Sequence, residues 1–143
     1  MAGYSLNPLV KKLGIKSGDR LLLINTPKNY GNLIEEWPDD ISVVEIEKAI
    51  EVDFIHFFTQ EMVELECSFQ MLKQKLKIGG ALCISWPKGS SKLTKDLNGH
   101  DVRNIGLDNG LVDVKVCAVD EDWSGLKFVY RTRSRQSKPR TNS

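Results

Sequence analysis

At 143 residues, with 41% hydrophobic and 27% charged residues and a net charge of +1, the chain has the composition of one ordinary globular domain able to bury a core. No global field directs it to nucleic acid or a membrane. No apolar run approaches the roughly 20 residues that a membrane span needs, and the opening MAGYSLNPLVKK lacks the apolar stretch of a secretory signal. A cytoplasmic protein without membrane contact is expected. Cys67, Cys83 and Cys117 form no CxxC pair and read as buried, reduced thiols. With only His56 and His100 besides, no metal site is expected.

In chain order, Asn7-Pro8 reads as a cap with proline at the first helical position, opening a short helix over residues 8–13 that stops at Gly14. Residues 17–19 form a turn. Residues 20–24 (RLLLI) are the kind of apolar run a doubly buried parallel strand shows. Asn25-Thr26-Pro27 ends it, a helix covers residues 29–36, and Pro38-Asp39-Asp40 is a turn. The β-branched residues 41–46 read as a second strand and residues 53–58 (DFIHFF) as a third.

The next segment carries the strongest periodicity. Thr59 is the candidate N-cap, and Met62, Leu65, Phe69, Leu72 and Leu76 recur at spacings of three and four along one helix face. Glutamates lie toward its start and lysines at its end, as the helix dipole favours. Gly79-Gly80 is expected to terminate it. Residues 81–86 make a fourth strand closed by Pro87, residues 87–93 a loop, and residues 96–108 a helix ending at Asn109-Gly110. Alternation over residues 112–118 marks a strand with two unlike faces. Residues 120–124 then turn into a hairpin partner over residues 125–131. The remaining stretch, residues 132–143, has no apolar residue and is expected to be a disordered basic tail. Residues 1–131 are thus expected to form a single domain. Strands alternating with helices place the chain in the α/β class, with a mainly parallel sheet, right-handed crossovers and a C-terminal antiparallel hairpin.

Several stretches resemble the three-layer Rossmann-like fold of class I methyltransferases, in a shortened form. KLGIKSGDRLLLIN resembles the lead-in and first strand of that superfamily. LKIGGALCISWPK resembles the helix end, glycine pair and strand after the active-site strand, and NGLVDVKVCAVDEDWSGLKFVYR the closing hairpin. The chain is also similar to a small bacterial domain family without an assigned activity. Its pattern is present at residues 2–5 (AGYS), 8–16 (PLVKKLGIK), 86–88 (WPK) and 112–129 (VDVKVCAVDEDWSGLKFV). On this plan about six strands run in the order 2-1-3-4-6-5, the last inserted antiparallel. The space between Ile46 and Val52 is too short for the superfamily's usual outermost strand.

The resemblance would imply S-adenosylmethionine as cofactor, but the glycine-rich loop that approaches its methionine end is missing. That position reads Asn25-Thr26-Pro27-Lys28-Asn29-Tyr30-Gly31, where Pro27 removes a donor and only Gly31 lacks a side chain. No cofactor is therefore expected. The acid that holds ribose hydroxyls at the end of the second strand would be Glu45 or Glu47.

In open α/β sheets, ligands bind beyond the carboxyl ends of the strands where the strand order reverses. The candidate lining there is Asn25, Thr26, Thr59, Trp86 and Lys88, with Glu45 at its side. Trp86 would stack on a flat ring or cap the core, and Lys88 would meet an anion. His56 reads as a hydrogen-bonded core histidine, with a general base as the alternative. His100 reads as a surface or cap residue, and residues 120–122 as a soluble acidic loop or a pair of acid/base carboxylates.

Two functions from different classes follow. The first is a non-catalytic binding or scaffold domain on a methyltransferase-like fold, forming homo-oligomers. Opposite charge on residues 35–66 (acidic) and 67–95 (basic) would pair between protomers, or would simply be solvated faces. The second is a divergent transferase binding an adenosyl or nucleotide ligand in the crevice. Weak, salt-sensitive nucleic-acid contact through the basic tail is a third expectation.

Overall fold

The computed structural model describes residues 9–33 and 37–131. The proline at the first helical position, the later part of the helix expected over 29–36 and the tail expected over 132–143 lie outside them. The described chain runs α1 (Leu9–Leu13), β1 (Arg20–Ile24), α2 (Tyr30–Leu33), β2 (Ser42–Val43), a 3-10 turn (Ile46–Lys48), β3 (Val52–Phe58), α3 (Met62–Lys75), β4 (Leu76–Pro87), α4 (Gly99–Asp108), β5 (Leu111–Ala118) and β6 (Trp123–Tyr130). The six strands form one sheet in the order β2-β1-β3-β4-β6-β5. β2, β1, β3 and β4 are parallel, while β6 is antiparallel to β4 and β5. The fold is α/β, as the alternation of elements predicts, and between β2 and β3 only the 3-10 turn intervenes.

Period-two alternation divides the buried strand residues between two cores. On one face Leu22, Ile55, Phe57, Leu82, Ile84 and Phe128 pack under Leu65, Phe69 and Leu72 of α3 and Val102 and Ile105 of α4. On the other, Leu21, Phe54, Phe58, Cys83 and Trp123 pack against Val10 and Leu13 of α1 and Tyr30 of α2. This double burial is why β1 and β3 read as continuous apolar runs.

Several boundaries differ from the sequence expectation, each for a tertiary reason. The second strand is Ser42–Val43 rather than residues 41–46; it pairs only with Arg20 and Leu21 before the chain turns into the 3-10 segment. The helix α3 ends at Lys75, and Leu76 is already extended and fully buried. Gly79-Gly80 is therefore inside β4. The β3–β4 register passes from Val52↔Leu76 to Phe54↔Ala81, so residues 77–80 bulge opposite Asp53. A Cβ on Gly80 would stand 2.6 Å from the Asp53 carbonyl oxygen, so the glycine serves this close approach rather than a helix stop.

The fourth helix begins at Gly99 rather than near Asp96. Asn98 caps it by accepting from the Asp101 N–H (3.0 Å) while the Asp101 carboxylate accepts from the Asn98 N–H (3.1 Å), a reciprocal capping box. β6 starts at Trp123, earlier than expected, because Val119 N–H bonds the Trp123 carbonyl and tightens the hairpin. A register shift between Asp113 and Lys115 breaks the alternation in β5, leaving Val114 and Val116 exposed. Cys83 and Cys117 are buried, but Cys67 is exposed on α3: it lies on the helix face opposite Leu65, Phe69 and Leu72. Among the described residues no helix is long and apolar enough to cross a membrane, and no group of His, Cys, Asp and Glu is arranged to hold a metal ion.

Candidate functional site

Strand order reverses between β1 and β3, and there, beyond their carboxyl ends, lies a cleft of about 610 Å³ lined by Asn25, Pro27, Phe58, Thr59, Gln60, Glu61, Glu64, Thr94 and Trp123. Its polar centre is a clasp around Glu64, in the first turn of α3. The Thr59 hydroxyl donates to one carboxylate oxygen (2.5 Å) and the Asn25 side-chain amide to the other (3.1 Å). The same amide donates to the Phe58 carbonyl (3.1 Å). Asn25 sits in the left-handed region at φ 59°, which asparagine tolerates better than most side-chain-bearing residues. It thus makes the sharp exit from β1 without a glycine, and its side chain ties together the ends of β1, β3 and α3.

The walls come from three further segments. Gln60 donates to the Thr94 carbonyl (2.9 Å), and Asp96 caps α3 by accepting from the Met62 N–H (2.6 Å). Thr59 is therefore not the N-cap; that role is divided between Glu61, which holds the cap position, and Asp96, which supplies the side-chain oxygen. Trp123 packs edge-on against Phe58 at a centroid distance of 5.1 Å. Two acids of the hairpin loop are engaged within the protein: Asp120 accepts from the backbone N–H groups of Asp122 and Trp123 (2.8 Å each) in its own turn, and Asp122 accepts from the Ser91 hydroxyl of the loop after β4. Asn29 reaches Asp120 at 3.4 Å, joining the β1–α2 loop to this hairpin.

Of the residues expected at the crevice, Asn25 and Thr59 line the cleft. Thr26 is exposed beside it, and Glu45 is exposed at the cap of the 3-10 turn, with Glu47 exposed within it. Trp86 lies on the α3/α4 face, 8% exposed, in the core. A Cβ on Gly99 would stand 3.0 Å from its ring, so the first turn of α4 covers it. Lys88 is half-buried after β4, its N–H bonded to the Asp122 carbonyl (2.7 Å). Gly31 lies inside α2 with open space where a side chain would be, so it makes no close backbone approach. The lining residues missed in the sequence are Pro27, Phe58, Gln60, Glu61, Glu64, Thr94 and Trp123. Pro27, Phe58, Gln60, Glu61 and Glu64 lie within a few residues of Asn25 or Thr59 and were locally reachable, whereas Thr94 and Trp123 arrive from distant segments.

Behind the cleft, His56 is fully buried between Tyr30 (Oη to Nδ1, 2.9 Å) and Ser85 (Oγ to Nε2, 2.8 Å). A neutral imidazole donates from one nitrogen and accepts at the other, so both neighbours can be satisfied. Burial pushes His56 down to about 3 and raises the Tyr30 phenol, helped by Cys83. His56 is thus a hydrogen-bonded core histidine that pins α2, and with it the end of the cleft loop, to the sheet.

Sheet order and site position together define a class I methyltransferase-like Rossmann fold. Solved structures share it at low identity: an S-adenosylmethionine-dependent methyltransferase from Aquifex aeolicus (18% identity, 84% of this chain and 86% of that one, TM-score 0.55), a TehB-like methyltransferase from Corynebacterium glutamicum (12%, 91% of each chain, TM-score 0.57), and a magnesium protoporphyrin IX methyltransferase from Synechocystis with bound SAH (10%, 86% and 78%, TM-score 0.57). No protein-family model matches the chain, and no curated protein sequence does.

Proposed function

We propose that this chain is a non-catalytic binding domain on a methyltransferase-like fold, taking a small, phosphate-free ligand with donor or cationic groups in the carboxyl-end cleft. The observation that carries this reading is the chemistry of the lining. Its ionisable side chains are Glu61 and Glu64, and it includes no Lys, Arg or His. Carboxylates repel phosphates and attract ammonium, sulfonium and hydroxyl donors, so nucleotides bearing phosphates fit poorly. The faces of Phe58 and Trp123 supply apolar contact. An adenosyl sulfonium matches this donor set, with Glu61 and Glu64 as its acceptors, although Pro27 and the occupied Asn25 side chain replace the backbone cradle that would grip its methionine end. When bound, such a cofactor would supply a transferable methyl group; the residues that line the cleft include no cationic or imidazole side chain.

The second reading, a divergent transferase, is favoured by the fold likeness alone. Calorimetry with S-adenosylmethionine, its demethylated product and ATP separates the two. Weak binding of the adenosyl compounds, none of ATP, and about tenfold loss in a Glu64→Gln variant are expected. ATP binding as well as S-adenosylmethionine defeats the acidic-cleft argument, and micromolar affinity for S-adenosylmethionine turns the reading toward the transferase. Membership of the small bacterial domain family, a cytoplasmic location, homo-oligomer formation and weak nucleic-acid contact through residues 132–143 belong to the same proposal. Sedimentation and truncation after Arg131 test the last two.

A further inference from the structure

At the amino ends of β1, β3 and β4 a second pocket, of about 220 Å³, is walled by Gly14, Lys16, Asp19, Asp53, Gly80 and Lys127 among others. Both of its carboxylates are hydrogen-bonded within the protein, and the Asp53 charge is balanced by Lys77. Asp19 accepts from the Lys16 N–H (2.9 Å), and Asp53 accepts from the Arg20 N–H (2.8 Å) and the Lys77 ammonium (2.9 Å). Among the described residues, no hydrogen bond or ion pair engages the side-chain ammonium of Lys16 or Lys127.

The neighbourhood adds positive charge. Lys127 stands directly across from Lys115 in the β5–β6 ladder, and like charges directly opposite each other destabilise an antiparallel pair. Burial raises the Cys117 thiol, while Lys115, Lys127 and Lys12 each act to lower it. Gly14, at φ +82°, leaves the room that Lys127 occupies: a Cβ there would be 2.7 Å from its Nζ. A half-buried Lys127 and an exposed Lys16, neither with a carboxylate partner among the described residues, face one concave wall and form the complement of an anion.

We propose that this pocket binds a small tetrahedral oxyanion of the phosphate class, with Lys16 and Lys127 as its charge partners. The volume lies below the roughly 300 Å³ at which drug-sized ligands begin, which suits a phosphate group with a short substituent rather than a nucleotide base. The site is independent of the carboxyl-end cleft.

The test is titration of the full-length chain with inorganic phosphate, with glycerol phosphate and with a short single-stranded oligonucleotide, against chloride at matched ionic strength. Phosphate and glycerol phosphate are expected to raise the melting temperature saturably and to shift the amide resonances of Gly14, Gly79 and Gly80. Lys127→Gln and Lys16→Gln each weaken this response about tenfold. Lys127→Gln by itself melts no lower than the parent, because it removes a like-charge pair. Should it fail to fold, the exposed Lys16→Gln carries the test. An equal response to chloride, an undiminished response in both variants, or oligonucleotide binding that phosphate does not compete overturns the proposal.

Discussion

Replacing Glu64 by alanine removes the carboxylate on which the cleft is organised, and its cost can be worked from the contacts. Hydrogen bonds to a charged group contribute about 1.5–3 kcal/mol each, so summing the bonds from Thr59 and Asn25 would give several kcal/mol. That sum is too large, because both donors keep another acceptor: Asn25 retains the Phe58 carbonyl at 3.1 Å and the Thr59 hydroxyl the Glu61 carbonyl at 3.2 Å. The cleft is also open, so water can replace part of what is lost. The net loss of the two bonds is then about 1.5 kcal/mol, and loss of an acid from the first turn of α3 adds about 0.5 kcal/mol. The expected total, about 2 kcal/mol, lowers the melting temperature by roughly 6 °C for a domain of this size. Chemical denaturation measures it directly. A double-mutant cycle with Thr59→Val, nearly isosteric at a buried site, should return a coupling of about 1 kcal/mol. A loss below about 0.5 kcal/mol, the scale of an ordinary surface substitution, would show that Glu64 is solvated and that no clasp holds the cleft.

His56 makes stability depend on acid. Its folded-state value is lowered to about 3 from an ordinary 6.5, so the unfolded chain binds the extra proton as pH falls between those values. Its contribution is therefore complete above about pH 6.5 and declines below it by up to about 1.4 kcal/mol per pH unit. Denaturation midpoints followed from pH 7 to 4 should flatten by about that slope in His56→Gln, and an unchanged slope would mean that the imidazole is protonated in the fold. Gly106→Ala should destabilise by about 3 kcal/mol, since the new Cβ would fall 2.1 Å from the Phe128 ring. The gain in helix propensity, about 1 kcal/mol, is too small to offset that overpacking. A variant as stable as the parent would show that α4 does not press on the sheet at that point.

Much of the fold was legible along the chain because its signals are local. The apolar runs of β1 and β3, the three- and four-residue spacing of Leu65, Phe69 and Leu72, and the glycine at the end of α4 each arise within a few residues, where period and backbone preference act. Strand order followed from these elements together with the resemblance to known folds. Asn25 and Thr59 were reachable because they stand at strand ends, which is where α/β sheets place their ligands.

What the tertiary structure alone decided depends on partners far away in sequence. Gly79-Gly80 looks like a helix stop until Asp53 is seen pressing on Gly80, and Trp86 looks like a rim residue until α4 is laid over its ring. Asp96 lies 34 residues from the N–H it caps, and Asn25 lies 39 from the carboxylate it meets. Propensity and periodicity describe how one segment prefers to fold. Which oxygen faces which donor across a cleft, and whether an ammonium finds a carboxylate or only another ammonium, is decided by how separate segments pack.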